Sequence, residues 1–452
     1  MIVPGPIILN PIELALLGLV CLYAVWRGRP EIPLAMYLSV ALWTRTVFVG
    51  PSAATWPLLM TIVLALIRYL HVVRPWSLLP QRLDATTRQL VPATDSWIIP
   101  WMGLWWSWAL CVLFLFDYTN KMTIARPVLL FIVFGSLVAL MVIRDAGAAR
   151  RFALAYLLAS AYGLYAALRF IDVPLSYLLS DPGLSSLPYR NLGIREYNFF
   201  SHHLSIAFLL GLGLFLQARH LWSMIAVLAL ALFCGYGVFL TGARQSLSGA
   251  GLAASLIFAW ALSRSGKKPW RVPLAIAAIV VIVVFLYQVA PHLVVREGES
   301  GLGESFNVFE DRGGLWLIGW NYFLASPVWG WGFEQKLWSH NIFIGTLADQ
   351  GLVGMVFLIG YLVWALRRLP AVWAQTPNDD RSIWRVVFFS LFLFAVVHGQ
   401  ASGNTMSTAH LHWPLWAVWA LSIGVATAPA HQPLPALCEY VSMQLQQGYS
   451  NE

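Results

Sequence analysis

The 452-residue chain is 59% hydrophobic and only 11% charged, against roughly 25% charged residues in a soluble domain, so lipid must be much of its solvent. Its apolar runs are continuous and of membrane-helix length, not alternating strands of about ten residues, which excludes an outer-membrane barrel. The formal charge of +8 does not argue for nucleic acid, because the basic residues sit mostly between apolar runs and no basic stretch is interleaved with aromatics.

Thirteen spans are expected in chain order, with twelve as the alternative. They lie near residues 10–26, 33–50, 55–72, 98–116, 127–143, 152–172, 203–218, 222–240, 246–263, 272–290, 344–366, 385–402 and 412–428. The first apolar run follows an uncharged start and reads as a retained span. The expected class is therefore all-α, a polytopic helical membrane protein. Residues 1–428 form one transmembrane unit with a long outer loop at 291–343, and 429–452 form a polar cytoplasmic tail. Cys21, Cys111, Cys234 and Cys438 show no CxxC spacing and read as apolar packing residues.

The linkers sort by charge. Every other one belongs to a basic set: Arg27 and Arg29; Arg74, Arg82 and Arg88; Arg144, Arg150 and Arg151; Arg219; Arg264, Lys267, Lys268 and Arg271; and Arg367, Arg368, Arg381 and Arg385. That set holds 17 basic residues and the alternate set eight. The positive-inside rule makes the first set cytoplasmic. Within the outer loop, a Trp-rich helix is expected from Gly313 to Ala325, lying at the membrane surface, with Pro327–Gly332 breaking it.

Translocated linkers are normally poor in arginine, yet Arg190, Arg195, Arg244, Arg296 and Arg312 all fall beyond outer span ends. A guanidinium near the lipid boundary needs an anionic partner or interfacial water, and its planar fork matches phosphate. Convergence of several would make a pyrophosphate clamp; each could instead snorkel to lipid headgroups. His340, in the segment WSHNIF at the mouth of a span, can accept a proton from a sugar hydroxyl. The alternative is an interfacial histidine beside a helix capped by Ser339 or Asn341. His202 and His203 begin one span, and His398, His410 and His412 flank the last outer linker. These read as interfacial hydrogen-bonding groups, with no metal expected. The chain lacks HExxH, GxxxxGK[ST] and GxSxG, which removes the common metalloprotease, P-loop and serine hydrolase readings.

The segment FNVFEDRGGLWLIGWNYFLASPVWGWGFEQKLWSHNIFIGTLADQGLVG, residues 306–354, resembles the shared core of the bacterial O-antigen ligase and polysaccharide (O-antigen) polymerase superfamily. The resemblance rests on a basic residue before a Trp-containing surface helix (Arg312, Trp316), then Pro327, Gly330 and Gly332. The His340–Asn341 pair and Gly351 and Gly354 follow. TGARQSLSGAG resembles the family's Thr-x-x-Arg turn and makes Arg244 the equivalent arginine. The loop ending in REYNFFSHH resembles the region before the middle spans, with Arg195 or Arg190 as the arginine there. Asp349-Gln350 departs from the Glu that many members carry directly before the glycine.

The resemblance implies a helical bundle with an outer catalytic cavity, similar to C-type glycosyltransferases, in the bacterial inner membrane with the site facing the periplasm. It implies an undecaprenyl-pyrophosphate-linked glycan donor, a glycan or lipid A-core acceptor, an inverting displacement, and no metal or other cofactor. His340 would be the catalytic base, and Arg312, Arg244, Arg195 and Arg190 the pyrophosphate-binding set. The rival class is a flippase or transporter for the same lipid-linked glycan. Such proteins place charges at mid-membrane, whereas here charge gathers at one outer face.

Overall fold

The computed structural model describes residues 11–40, 52–72, 81–83, 90–92, 98–115, 135–170, 197–241, 243–263, 308–332, 341–367 and 380–402, and parts of 272–280 and 413–421. The protein is all-α and polytopic. In chain order the helices are α1 (Pro11–Arg27), α2 (Glu31–Val40), α3 (Ser52–Val72), α4 (Ile98–Leu115), α5 (Gly135–Val142), α6 (Ala146–Phe170), α7 (Tyr197–Gln217), α8 (Leu221–Leu240), α9 (Arg244–Ser263), α10 (Val308–Ala325), α11 (Ile342–Arg367) and α12 (Asp380–Ser402). Among the described residues, six helices are long and apolar enough to cross a membrane: α6, α7, α8, α9, α11 and α12. The apolar parts of α1, α3 and α4 are shorter. Of the span expected at 33–50, residues 31–40 are helical and 41–51 lie outside the described part; of 127–143, Gly135–Val142 is described.

Burial separates the helices by role. α7 is apolar along its length and 83% of its span is buried, which makes it the centre of the bundle. α8 is at least as apolar, but only 39% of its span is buried and Trp222 stands exposed, so it faces lipid. Around α7 pack α6, α8, α9 and α12. Lipid tails offer no hydrophobic drive between helices, so close backbone approach and side-chain packing must hold them. Small residues mark those approaches: Gly211 against Ala231, Gly237 against Leu164 and Leu204, Gly213 against Trp384 and Val387, and Gly249 against Phe394. Phe152, Phe388 and Trp413 fill the adjoining space with tilted and edge-on ring contacts.

The contacts also fix direction. Short turns join α7 to α8 and α8 to α9, so α7 and α9 run the same way. α12 lies antiparallel to α7, with Trp384 and Val387 beside Gly213 and Phe394 against His202. Ile342, at the start of α11, meets Gly399 near the end of α12. The N-terminal ends of α7, α9 and α11 therefore lie at the same end of the bundle as the C-terminal end of α12. Two ion pairs lie toward the other end. Arg151 Nε meets Glu31 Oε1 at 2.5 Å, with Glu31 buried, and joins α6 to α2. Arg219 and Asp380 approach to 3.8 Å with both side chains exposed, a contact that contributes little.

The linker between the third and fourth expected spans holds something that periodicity did not indicate. Gln81–Leu83 (β1) and Leu90–Pro92 (β2) pair as a short antiparallel ladder with Arg82 opposite Val91.

Candidate active site at the ends of three helices

The turn between α8 and α9 is built from TGARQ. Thr241 folds its hydroxyl back to donate to the Val238 carbonyl at 2.6 Å. The amides of Ser246 and Leu247 return to the Ala243 carbonyl at 3.0 and 3.2 Å, so a helix starts at once. Arg244 is the first residue of α9, where the orphan amides and the helix dipole present positive potential. Arg190 and Arg195 lie outside the described residues, but Arg195 immediately precedes α7 in sequence, two residues before Tyr197. His340 also lies outside them, two residues before Ile342 at the start of α11. Three of the expected positions thus belong to, or directly precede, helix N-termini that the fold gathers at one end.

The neighbouring pair of His340 is defined. Asn341 is the N-cap of α11: its Oδ1 accepts from the amides of Phe343 at 2.9 Å and Ile344 at 3.1 Å. Of the two caps the sequence offered, Asn341 fills the role. Asn341→Ala should cost the start of α11 about 1 kcal/mol, so exchange at the Phe343 and Ile344 amides should rise about fivefold. Unchanged protection at both amides would remove the cap assignment.

Arg312 requires a correction. The sequence places it ahead of a helix beginning at Gly313, but α10 begins at Val308 and includes Arg312 within its second turn. The expected start at Gly313 is thus five residues later than the observed start. Glu310 and Asp311 in the opening turns favour the earlier one through the helix dipole. α10 packs on α11, so the fold links the helix bearing Arg312 to the helix that follows His340.

That link is a backbone clasp. At Gly351, α11 leaves helical geometry, with φ 65° and ψ −163°. The Pro327–Gly332 turn docks into the break. Trp331 N donates to Ala348 O at 2.8 Å, Gly332 N to Asp349 O at 2.9 Å, and Leu352 N to Pro327 O at 2.8 Å. The approach is close enough that a Cβ on Gly330 would stand 2.5 Å from Asp349 C and Gln350 N. The Pro-x-x-Gly-x-Gly pattern and the later glycine are thus two halves of one junction.

Between α7, α9, α12 and α6 lies a buried polar layer that sequence reasoning did not assemble. Ser201 Oγ and Ser246 Oγ are 2.6 Å apart, tying α7 to α9 two residues beyond Arg244. Tyr156 OH and His203 Nδ1 share a hydrogen bond at 2.7 Å. The rings of His202 and His398 meet edge-on, with centroids 4.4 Å apart, and Phe394 lies against His202 at 4.8 Å. All three of these histidines are buried. Two neighbouring histidines opening a span were the available signal; that His398, on α12, completes the group could not be read locally. His410 and His412 lie outside the described residues. Among the described residues, no three His, Cys, Asp or Glu side chains converge as a metal-ligand set.

Residues 228–359, from within α8 through the clasp and well into α11, match the family model described as O-antigen ligase. Over this segment the chain is similar to the O-antigen ligase and polymerase superfamily. The matched segment contains Arg244, Arg312, the Pro327–Gly332 turn, His340, Asn341 and Gly351. The matched segment therefore takes in α9, α10, the clasp and the start of α11. α7, with the buried histidines, and α4 and α12 lie outside it. The family and the six apolar helices give a multi-pass membrane protein of O-antigen ligase- or polymerase-like function. No curated protein matches the chain at a significant level.

Proposed function

We propose that the protein is an inverting, metal-independent glycosyltransferase acting on an undecaprenyl-pyrophosphate-linked glycan at the periplasmic face of the inner membrane. The observation that carries this reading is the gathering of the N-terminal ends of α7, α9 and α11 at one end of the bundle. Arg195 or Arg190, Arg244 and His340 belong to those ends in sequence, and Arg312 arrives on α10 through the clasp. Three helix N-termini and up to four guanidinium groups favour a dianionic leaving group there.

In the proposed reaction the donor pyrophosphate sits among Arg244, Arg312 and Arg195 or Arg190. His340 takes the proton of the acceptor hydroxyl as its oxygen attacks the anomeric carbon. The bond from that carbon to the pyrophosphate oxygen breaks on the opposite face, and the electron pair leaves with the lipid pyrophosphate. The configuration inverts in one displacement. Interfacial water weakens each contact, so several arginines share the stabilisation of developing charge that a divalent ion provides in other transferases. The acceptor is a second donor glycan, as in a polymerase, or lipid A-core, as in a ligase. The lack of a recognisable core-oligosaccharide site in the sequence favours the polymerase-like reaction.

The test is reconstitution in proteoliposomes with labelled undecaprenyl-pyrophosphate glycan. Lengthened or transferred glycan with release of undecaprenyl pyrophosphate is expected. Leaflet exchange of intact donor without transfer would replace this reading with that of a flippase.

A further inference from the structure

A side chain from outside the matched family segment reaches into the clasp. Trp108 on α4 donates from Nε1 to the Gln350 carbonyl at 3.0 Å, and its ring stacks on Trp329 with centroids 5.2 Å apart and planes 29° from parallel. The first contact is to α11 at its break, the second to the turn docked into it. A helix break within an apolar segment strands carbonyls that lipid cannot satisfy. Three successive carbonyls ahead of the break have partners: Ala348 O accepts from Trp331, Asp349 O from Gly332 and Gln350 O from Trp108. The first two come from the turn itself. The third comes from α4, which continues antiparallel along α11 to Trp101, packed on Gly360 and Phe357.

We infer that Trp108 is a positioning residue for transfer: by holding the break at Gln350–Gly351 and the Trp329 face of the turn, it sets where α10 stands relative to the start of α11. The role rests on the proposed function, because α10 carries Arg312 and α11 follows His340. Trp108 acts through the backbone geometry of the clasp. Its loss should leave donor capture by the remaining arginines largely intact and misplace base against leaving group. Misplaced catalytic groups lower kcat, whereas lost uniform binding raises KM.

The test uses the full-length protein with Cys21, Cys111, Cys234 and Cys438 replaced by serine. Leu317→Cys and Leu352→Cys, at exposed positions of α10 and α11, carry spin labels for distance measurement. Trp108→Phe keeps a ring for the stack and removes the donor; Trp108→Ala removes both. The inter-label distance distribution should be narrow with Trp108, broader in Trp108→Phe and broadest in Trp108→Ala. The kcat should fall about tenfold in Trp108→Phe and about a hundredfold in Trp108→Ala, with donor KM within about twofold of the parent. An unchanged distance distribution in Trp108→Ala overturns the inference. So does an unchanged kcat, or a rise in KM that accounts for the whole loss. The parent protein and His340→Ala in the same background separate the two readings: no transfer by the parent defeats the proposed reaction, and transfer by His340→Ala at the parent rate defeats only the base assignment, while the distance measurement reports on the clasp in either case.

Discussion

His340→Ala is expected to abolish glycan transfer while the protein still inserts and binds donor. A positioned general base contributes about 10²–10⁴ in rate, and three histidines of the described residues are engaged elsewhere. His202, His203 and His398 are buried among α6, α7 and α12. His203 is hydrogen-bonded to Tyr156, and His202 is packed against His398 and Phe394. His340→Gln should lose the same activity, because an amide cannot take the acceptor's proton. The discriminating measurement is single-turnover transfer from labelled donor in proteoliposomes, alongside donor binding by the same preparation. Loss of transfer with retained binding supports the base assignment. Transfer by His340→Ala at the parent rate would move the base elsewhere. Arg244→Ala should behave differently, weakening donor binding as well as turnover, since a guanidinium on the pyrophosphate acts before and during bond cleavage.

The contrast between what was legible in the chain and what was not has a physical basis. α8 spans Leu221–Leu240 where the apolar run at 222–240 predicts a helix, because twenty residues that lipid must accept leave the backbone no alternative to internal hydrogen bonding. The turn at Pro327–Gly332 and the cap at Asn341 were also legible, since proline, glycine and asparagine act on their own backbone neighbourhood. The start of α10 falls at Val308, five residues ahead of the expected Gly313, because the apolar pattern read from Gly313 onward leaves out a charged opening turn that the helix dipole favours. The clasp itself was not legible. Gly351 sits in a run that reads as one continuous span at 344–366, and what breaks the helix there is a loop docking from more than twenty residues earlier. The partner of Gln350 is more remote still: Trp108 stands 242 positions earlier in the chain. A glycine inside an apolar helix, costing about 1 kcal/mol relative to alanine, was the one local sign that some other backbone comes close.

Gly351→Ala should cost the enzyme about a hundredfold in transfer, with its membrane insertion unchanged. At φ 65° and ψ −163° the residue occupies a region essentially closed to side chains, where strain runs to about 1–3 kcal/mol. A Cβ there would also run into the Val328 carbonyl oxygen and stand 2.5 Å from Val328 C. These are backbone atoms, unable to swing aside as the end of a flexible side chain would. Relief comes only by withdrawing the turn, and with it the bonds from Trp331, Gly332 and Leu352 that hold it to α11. Each is worth about 1 kcal/mol net, and the three together amount to roughly a hundredfold if the loss falls on the transition state. Gly330→Ala meets Asp349 and Gln350 from the other side of the junction and should have the same effect. Gly251→Ala is the control: it lies in α9 with open space around its Cβ position and should leave transfer within about twofold, as surface changes without a named mechanism do. Rates measured in proteoliposomes at matched protein content separate these outcomes. If Gly351→Ala transfers glycan as fast as Gly251→Ala, the clasp does not govern the reaction, and the placement of Arg312 relative to His340 must be set by residues outside it.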